Sequence, residues 1–191
     1  MAKRKSALFG GIDPGRKGFF ALYDGSDIVE SSPIPMIPSS KSYDLLGISE
    51  VLNGWSEIGV QFVILEDQRP MPREGPMGAF ALGDGFGIIK MGLHMAAIPH
   101  EIWRPGQWKK EMKIPAPAKK SPPKGADNAV KNRIKRENSN ATKAISISTA
   151  QRLLPNIDLR RTEDCRTPSS DKAEACLMAI FAYRKHGWIR A

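Results

Sequence analysis

The chain has 191 residues, 41% of them hydrophobic, enough for a single core of ordinary size without disulfides or a structural metal. Its two cysteines form no CxxC pair and its three histidines are scattered, which argues against a zinc site and for free, partly buried thiols at Cys165 and Cys176. The net charge is +9, and its excess is concentrated: twelve Lys/Arg face four Asp/Glu between Glu101 and Lys143, a clustering that suits a polyanion as well as it suits a solvated lysine-rich loop.

In chain order, the basic start MAKRKSALFGGID holds an apolar stretch too short for a signal peptide. No apolar run reaches the ~20 residues of a bilayer span, so the expectation is a soluble protein with no membrane partner. Leu8 to Asp13 reads as a buried strand ending on a carboxylate, and Pro14-Gly15 forces a turn. Phe19 to Tyr23 is a second strand, and Gly25-Ser26 turns into a third around Ile28-Val29. Residues 31–42, with their Ser and Pro, read as a loop. Leu45, Ile48, Leu52 and Trp55 share one face of a helix predicted to end near Ile58. Gln61 to Glu66 is another apolar strand ending on an acid.

A Pro/Gly-rich loop spans Gln68 to Gly78. The pattern then predicts a helix over Ala79–Ala96 despite Gly83, Gly85, Gly87 and Gly92, a strand over Ala97–Trp103 and a short helix over Gln107–Met112. Residues 114–142 carry Pro and Lys and read as a mobile basic insertion. Thr142 or Lys143 is the expected start of a helix that Pro155 ends. Ser169 or Ser170 is the expected N-cap of a last helix reaching His186. Short turns make the first three strands antiparallel neighbours, and intervening helices make the later ones parallel. The expected fold is therefore α/β: one domain over 1–191, a mixed five-stranded sheet with helices on both faces.

Asp13 and Glu66 end two buried strands, where open α/β sheets form their ligand crevice. Asp171 and Glu174 are spaced i, i+3 and project from one helix face. Each acid alone has a plain explanation: Asp13 shapes a turn, Glu66 sits beside Asp67, and acids in a first helical turn favour the dipole. As a set they form a candidate metal site, since crowded carboxylates raise one another's pKa and cations restore the charged form. Oxygen-only donors select hard ions such as Mg²⁺ or Mn²⁺. Two such ions about 4 Å apart serve in-line phosphodiester cleavage. The GxGxG run at Gly83-Asp84-Gly85-Phe86-Gly87 follows no strand directly and is no dinucleotide fingerprint; it permits close helix approach, either at a two-fold dimer interface or in packing on the sheet.

Gly11-Ile12-Asp13-Pro14-Gly15, the VILE ending on Glu66, ALGDGFGIIKMGL and DKAEACLMA over 171–179 resemble, in order, the RuvC-type Holliday junction resolvases. The resemblance is closest to the branch that includes the plastid enzymes. A Trp-Lys segment, Thr142-Lys143-Ala144-Ile145-Ser146 and an Arg-Leu-Leu-Pro ending are similar as well. This resemblance covers nearly the whole chain. It implies an RNase H-like fold, a homodimer, and two Mg²⁺ per site, with Mn²⁺ as substitute. It also implies nicking of four-way DNA junctions to 5′-phosphate and 3′-hydroxyl ends, in the cytoplasm of a bacterium or a phage-infected cell. Its catalytic, metal-binding acids fall on Asp13, Glu66, Asp171 and Glu174, and it places Lys143 near the scissile phosphate, at a helix N-terminus whose amides attract anions. The remaining candidate DNA contacts are Arg69 and Arg73 in the loop after Glu66, and Lys119, Lys120, Lys124, Lys131, Arg133, Lys135 and Arg136 in the insertion.

Two departures from the family pattern stand out. The insertion is longer and richer in Lys and Pro than the bacterial form, and Arg69 stands where bacterial members place an aromatic. Three alternatives remain at this stage: an actin-like ATPase, for which the chain is short, another RNase H-like nuclease acting on RNA–DNA hybrids or branched DNA, and a non-catalytic junction binder.

Overall fold

The computed structural model describes residues 7–40, 42–70 and 75–187. Its main sheet is built from β1 (Leu8–Asp13), β2 (Phe19–Tyr23), β3 (Ile28–Pro33), β6 (Val60–Glu66) and β7 (His100–Trp103), in the order β3-β2-β1-β6-β7. A small hairpin, β4 (Met36–Ile37) with β5 (Ser42–Tyr43), stands apart. The helices are α1 (Leu45–Glu57), α2 (Pro76–Met95), α3 (Pro105–Glu111), α4 (Asn128–Leu153) and α5 (Ser170–His186). As the turn lengths demand, β1, β2 and β3 are antiparallel, while β1, β6 and β7 run parallel. The mixed five-stranded sheet with helices on both faces is thus the observed architecture.

Side chains alternate across a strand, and both faces of the sheet are buried. Phe9, Phe19, Ala21 and Ile64 pack under α5, with Trp108 of α3 and Ala150 of α4. Ile12, Phe20, Leu22, Val63 and Leu65 pack on the other face against Ile48, Leu52 and Trp55 of α1 and Ile89 and Leu93 of α2. A strand buried on both faces reads as a continuous apolar run, which is how β1 and β6 appear in the sequence. Gly10 and Gly11 thin β1 on its two sides. A Cβ on Gly10 would press on Trp55 and Val63, and one on Gly11 would run into the backbone of Ala175 and Ala179. α5 therefore crosses β1 at near contact, through Ala173, Ala175, Cys176 and Ala179, all inaccessible to solvent. Ser169 caps α5, its hydroxyl accepting from the Lys172 amide at 3.3 Å. Cys165 and Cys176 are both free, and burial pushes the Cys176 thiol up to about 12. Among the described residues no helix is long and apolar enough to cross a membrane.

Three expectations need correction. Residues 31–42 are not one loop: β3 runs on to Pro33 and the β4–β5 hairpin follows. β7 is shorter than predicted, because Ala97, at φ 52°, and the residues up to Pro99 turn the chain off α2 before pairing starts. The largest difference concerns the basic insertion. α4 begins at Asn128, not at Thr142 or Lys143, and the Asp127 carboxylate caps it by accepting from the Val130 amide at 2.8 Å. No proline lies between Pro123 and Pro155, and the residues beyond Asp127 include good helix formers whose preference the Lys-rich composition masks. Only 114–127 is a non-helical strap. It folds back on α4 through a two-way clamp: the Lys120 amide donates to Asn138 Oδ1, and Asn138 Nδ2 donates to the Lys120 carbonyl, each at 2.9 Å.

Candidate active site

Parallel pairing sets Ile12 beside Leu65, so the next residues, Asp13 and Glu66, sit side by side at the carboxyl ends of β1 and β6. The close crossing of α5 over β1 brings Asp171 and Glu174 to the same end. The electrostatics bind the four together. Burial raises Asp13 to about 7; the Gly15 amide opposes this, Asp171 and Glu174 add to it, and Lys109 opposes it. Burial likewise raises Glu66 to about 8, with Asp13 and Glu174 adding to the rise and the Trp108 indole and Lys109 countering it. Glu66, only 6% exposed, is the most buried acid of the set and no mere edge residue.

Protein donors hold each acid in place. Asp13 Oδ1 accepts from the Gly15 amide at 3.1 Å and from Gln68 Nε2 at 3.4 Å. Trp108 Nε1 donates to Glu66 Oε1 at 3.0 Å. Glu174 Oε1 accepts from Lys109 Nζ at 2.7 Å and from Ser146 Oγ at 2.8 Å. Ser170 Oγ donates to Asp171 Oδ1 at 3.0 Å. Among the described residues, these donors all land on one oxygen of each carboxylate, and the other oxygen accepts no protein hydrogen bond.

Among the described residues, no group of three or more acids, histidines or cysteines closes into a preformed metal-ligand cluster. In this arrangement Glu174 turns to Lys109 and Glu66 to Trp108. The donor set still fits a hard divalent cation. It offers only oxygens, leaves one oxygen of each acid unclaimed by the described residues, and strains two of the acids toward protonation, the state that a cation reverses.

Sequence reasoning overlooked several of these residues. Lys109, in α3, supplies the positive charge inside the site, and Trp108 and Ser146 orient two of the acids. Their signal was the Trp-Lys segment and the serine of Thr142-Lys143-Ala144-Ile145-Ser146, motifs noticed without a role. Tyr43 is another. Its hydroxyl donates to the Pro14 carbonyl at 3.2 Å, buttressing the turn after Asp13, and a Cβ on Gly85 would collide with that hydroxyl. Gly85 and Gly92 therefore serve packing on the body, while Gly83 and Gly87 face open space.

Lys143 is not at a helix N-terminus. It lies within α4, exposed, one turn before Ser146, so the amide-based anion site expected there does not exist. Arg69 is exposed and pairs with Asp67 at 2.7 Å, while Arg73 lies outside the described residues. Lys120 and Arg133 both pair with Glu137, at 2.7 and 3.8 Å. Lys119, Lys124, Lys131, Lys135 and Arg136 are exposed.

No family profile and no curated protein matches the sequence. Solved structures do match. One, described as Thermus thermophilus RuvC in complex with Holliday junction substrate, is 15% identical, with a TM-score of 0.57 over 95% of this chain and 96% of its own. A second Thermus thermophilus RuvC structure is 16% identical, with a TM-score of 0.53 over 94% of this chain and 96% of its own. Along nearly its whole length, then, the chain carries the RNase H-like fold of the RuvC Holliday junction resolvase structures.

Proposed function

We propose that this protein is a Holliday junction resolvase, a structure-selective endonuclease that cuts four-way DNA junctions to 5′-phosphate and 3′-hydroxyl ends. The observation that carries this reading is the adjacency of Asp13 and Glu66, both driven toward protonation, under an α5 pair and beside a lysine, in a fold shared with junction-bound RuvC. Asp13, Glu66, Asp171 and Glu174 would hold two Mg²⁺ ions, with Mn²⁺ as substitute, through the oxygens that no described residue claims. When bound, the ions supply an activated water and charge stabilisation at the leaving 3′ oxygen.

The chain's own residues do the rest. Trp108 and Ser146 fix the rotamers of Glu66 and Glu174. The Gly15 amide and the Tyr43–Pro14 contact fix the Asp13 turn. Lys109, paired with Glu174 at 2.7 Å, would offer its positive charge to a substrate phosphate oxygen. Lys143, exposed on α4 one turn from Ser146, would contribute phosphate affinity.

A second copy would seat on the groove of about 610 Å³ between α1 and α2, which Gly83, Gly87, Ile88, Met91 and Met95 help line. Phe80 and Met77 extend this apolar face, 74% and 81% exposed. An isologous pair on it places two sites on one junction, and a monomer in light scattering would refute it. The test of function is cleavage with Mg²⁺ of a four-way junction, a linear duplex and an RNA–DNA hybrid, with the product ends mapped. Preferential junction cutting is expected, and preference for the hybrid would replace the reading with that of a hybrid nuclease.

A further inference from the structure

Between Asn128 and Lys143, α4 has one face turned to the strap and one that, among the described residues, is exposed. Val130, Ile134, Glu137, Asn138 and Ala141 are half-buried, on the side where the strap 114–127 is clamped. Away from it, Lys131, Lys135, Ser139 and Lys143 recur at every fourth position, with Asn132 and Arg136 alongside, and all six are exposed. Positions four apart stack on one helix face. Continued by one turn, that same face carries Ser146, whose hydroxyl donates to Glu174. The ridge holds four cations and no acid. Two other cations of the arm, Lys120 and Arg133, are instead occupied by Glu137.

Resting on the resolvase reading, we infer that this ridge of α4 is a phosphodiester track: it carries the duplex arm being cut, starting at the active site and following the backbone outward. Lysine, arginine, asparagine and serine are among the side chains that contact phosphate and sugar, and those contacts carry no sequence information. From Lys131 to Ser146 the helix advances about 22 Å, which corresponds to about six or seven base pairs of duplex. The Asn138–Lys120 clamp ties the strap to α4, and the track is carried on a helix and not on a loop. An acidic protein is the less favoured occupant, because the ridge is continuous with the catalytic end of the sheet and offers no apolar anchor.

The test combines substrate length with charge removal. Lys131, Lys135 and Arg136 are replaced together by Gln, a comparable helix former that leaves α4 intact. Binding to long-armed junctions and to plain duplex is then followed against salt, and cutting is followed as one arm is shortened. Each phosphate contact contributes about 0.9 to the log–log salt slope, so the triple variant should lose about 2.7 of the wild-type slope. Wild-type cutting at subsaturating protein should fall by about tenfold or more once the cut arm is shorter than about six base pairs, while the variant should be slow and insensitive to arm length. An unchanged slope, or the same length dependence in both proteins, overturns the track. If the wild type cuts no junction at all, the resolvase reading fails, and the slope on plain duplex still decides the track. A steep slope on duplex RNA but not on DNA would overturn the assignment to DNA.

Discussion

Removing divalent cations should make the protein less stable as pH rises, opposite to the trend that ordinary paired carboxylates give. Burial raises Asp13 from 3.8 to about 7 and Glu66 from 4.5 to about 8. Between the unfolded and folded values, the native state holds protons that the unfolded chain has released. The stability of the protonated site is thus fully present below about pH 4 and is lost as pH rises through about 8. At 1.36 kcal/mol per pKa unit, each acid gives a loss on the order of 4 kcal/mol. For a chain of this size that corresponds to a fall in Tm on the order of 10 °C.

Thermal unfolding in a chelator, at several pH values from about 5 to about 8, measures this directly. Asp13→Asn, which cannot ionise, should remove a large part of the slope and be more stable than wild type at the alkaline end. Mg²⁺ should raise the wild-type Tm far more at about pH 8 than at about pH 5, because it binds the deprotonated acids. A chelated wild type whose Tm holds or rises across this range, or an Asp13→Asn variant with the wild-type slope, would refute the crowded-carboxylate description.

Three further outcomes follow from the geometry. Lys109→Gln leaves Glu174 without its cation in a site where both partners are less than a fifth exposed; it should cost about 1–3 kcal/mol in chemical denaturation and shift the pH profile of cleavage upward, since Lys109 lowers both raised acids, and a profile left in place would place Lys109 outside the site. Gly11→Ala and Gly85→Ala drive a methyl into the α5 backbone and the Tyr43 hydroxyl respectively and should each cost about 1–3 kcal/mol, whereas Gly54→Ala, with open space at its Cβ, should gain up to about 1 kcal/mol; equal effects at all three would contradict the close approaches. Tyr43→Phe should lower stability by about 0.5–1.5 kcal/mol and reduce kcat at unchanged junction affinity, and an equal loss of affinity would argue against its buttressing of Asp13.

The sheet was legible because its physics is local and periodic. Two-sided burial writes β1 and β6 as apolar runs, and the tight turn at Gly25-Ser26 dictates antiparallel neighbours. The four acids were legible as strand ends and an i, i+3 pair. Their environment was not, because it depends on contacts distant in sequence: Trp108 reaches Glu66 across 42 positions and Lys109 reaches Glu174 across 65. The start of α4 is hidden in the sequence because lysine-rich composition resembles a solvated loop; the Asp127 cap and the proline-free stretch from Lys124 to Leu154 are the signals that outweigh it. The glycines of α2 could be counted but not assigned, since only the fold tells which of them faces Tyr43 and which faces open space.

The most direct test of the central claim is a four-way junction cleavage assay with Mg²⁺ on the wild type, Asp13→Asn and Glu174→Gln, with junction binding measured alongside. Wild type should cut, and both variants should bind the junction with near wild-type affinity and leave it intact. A variant that still cuts, or a wild type that binds junctions without cutting them, would contradict the assignment of these carboxylates as the catalytic centre.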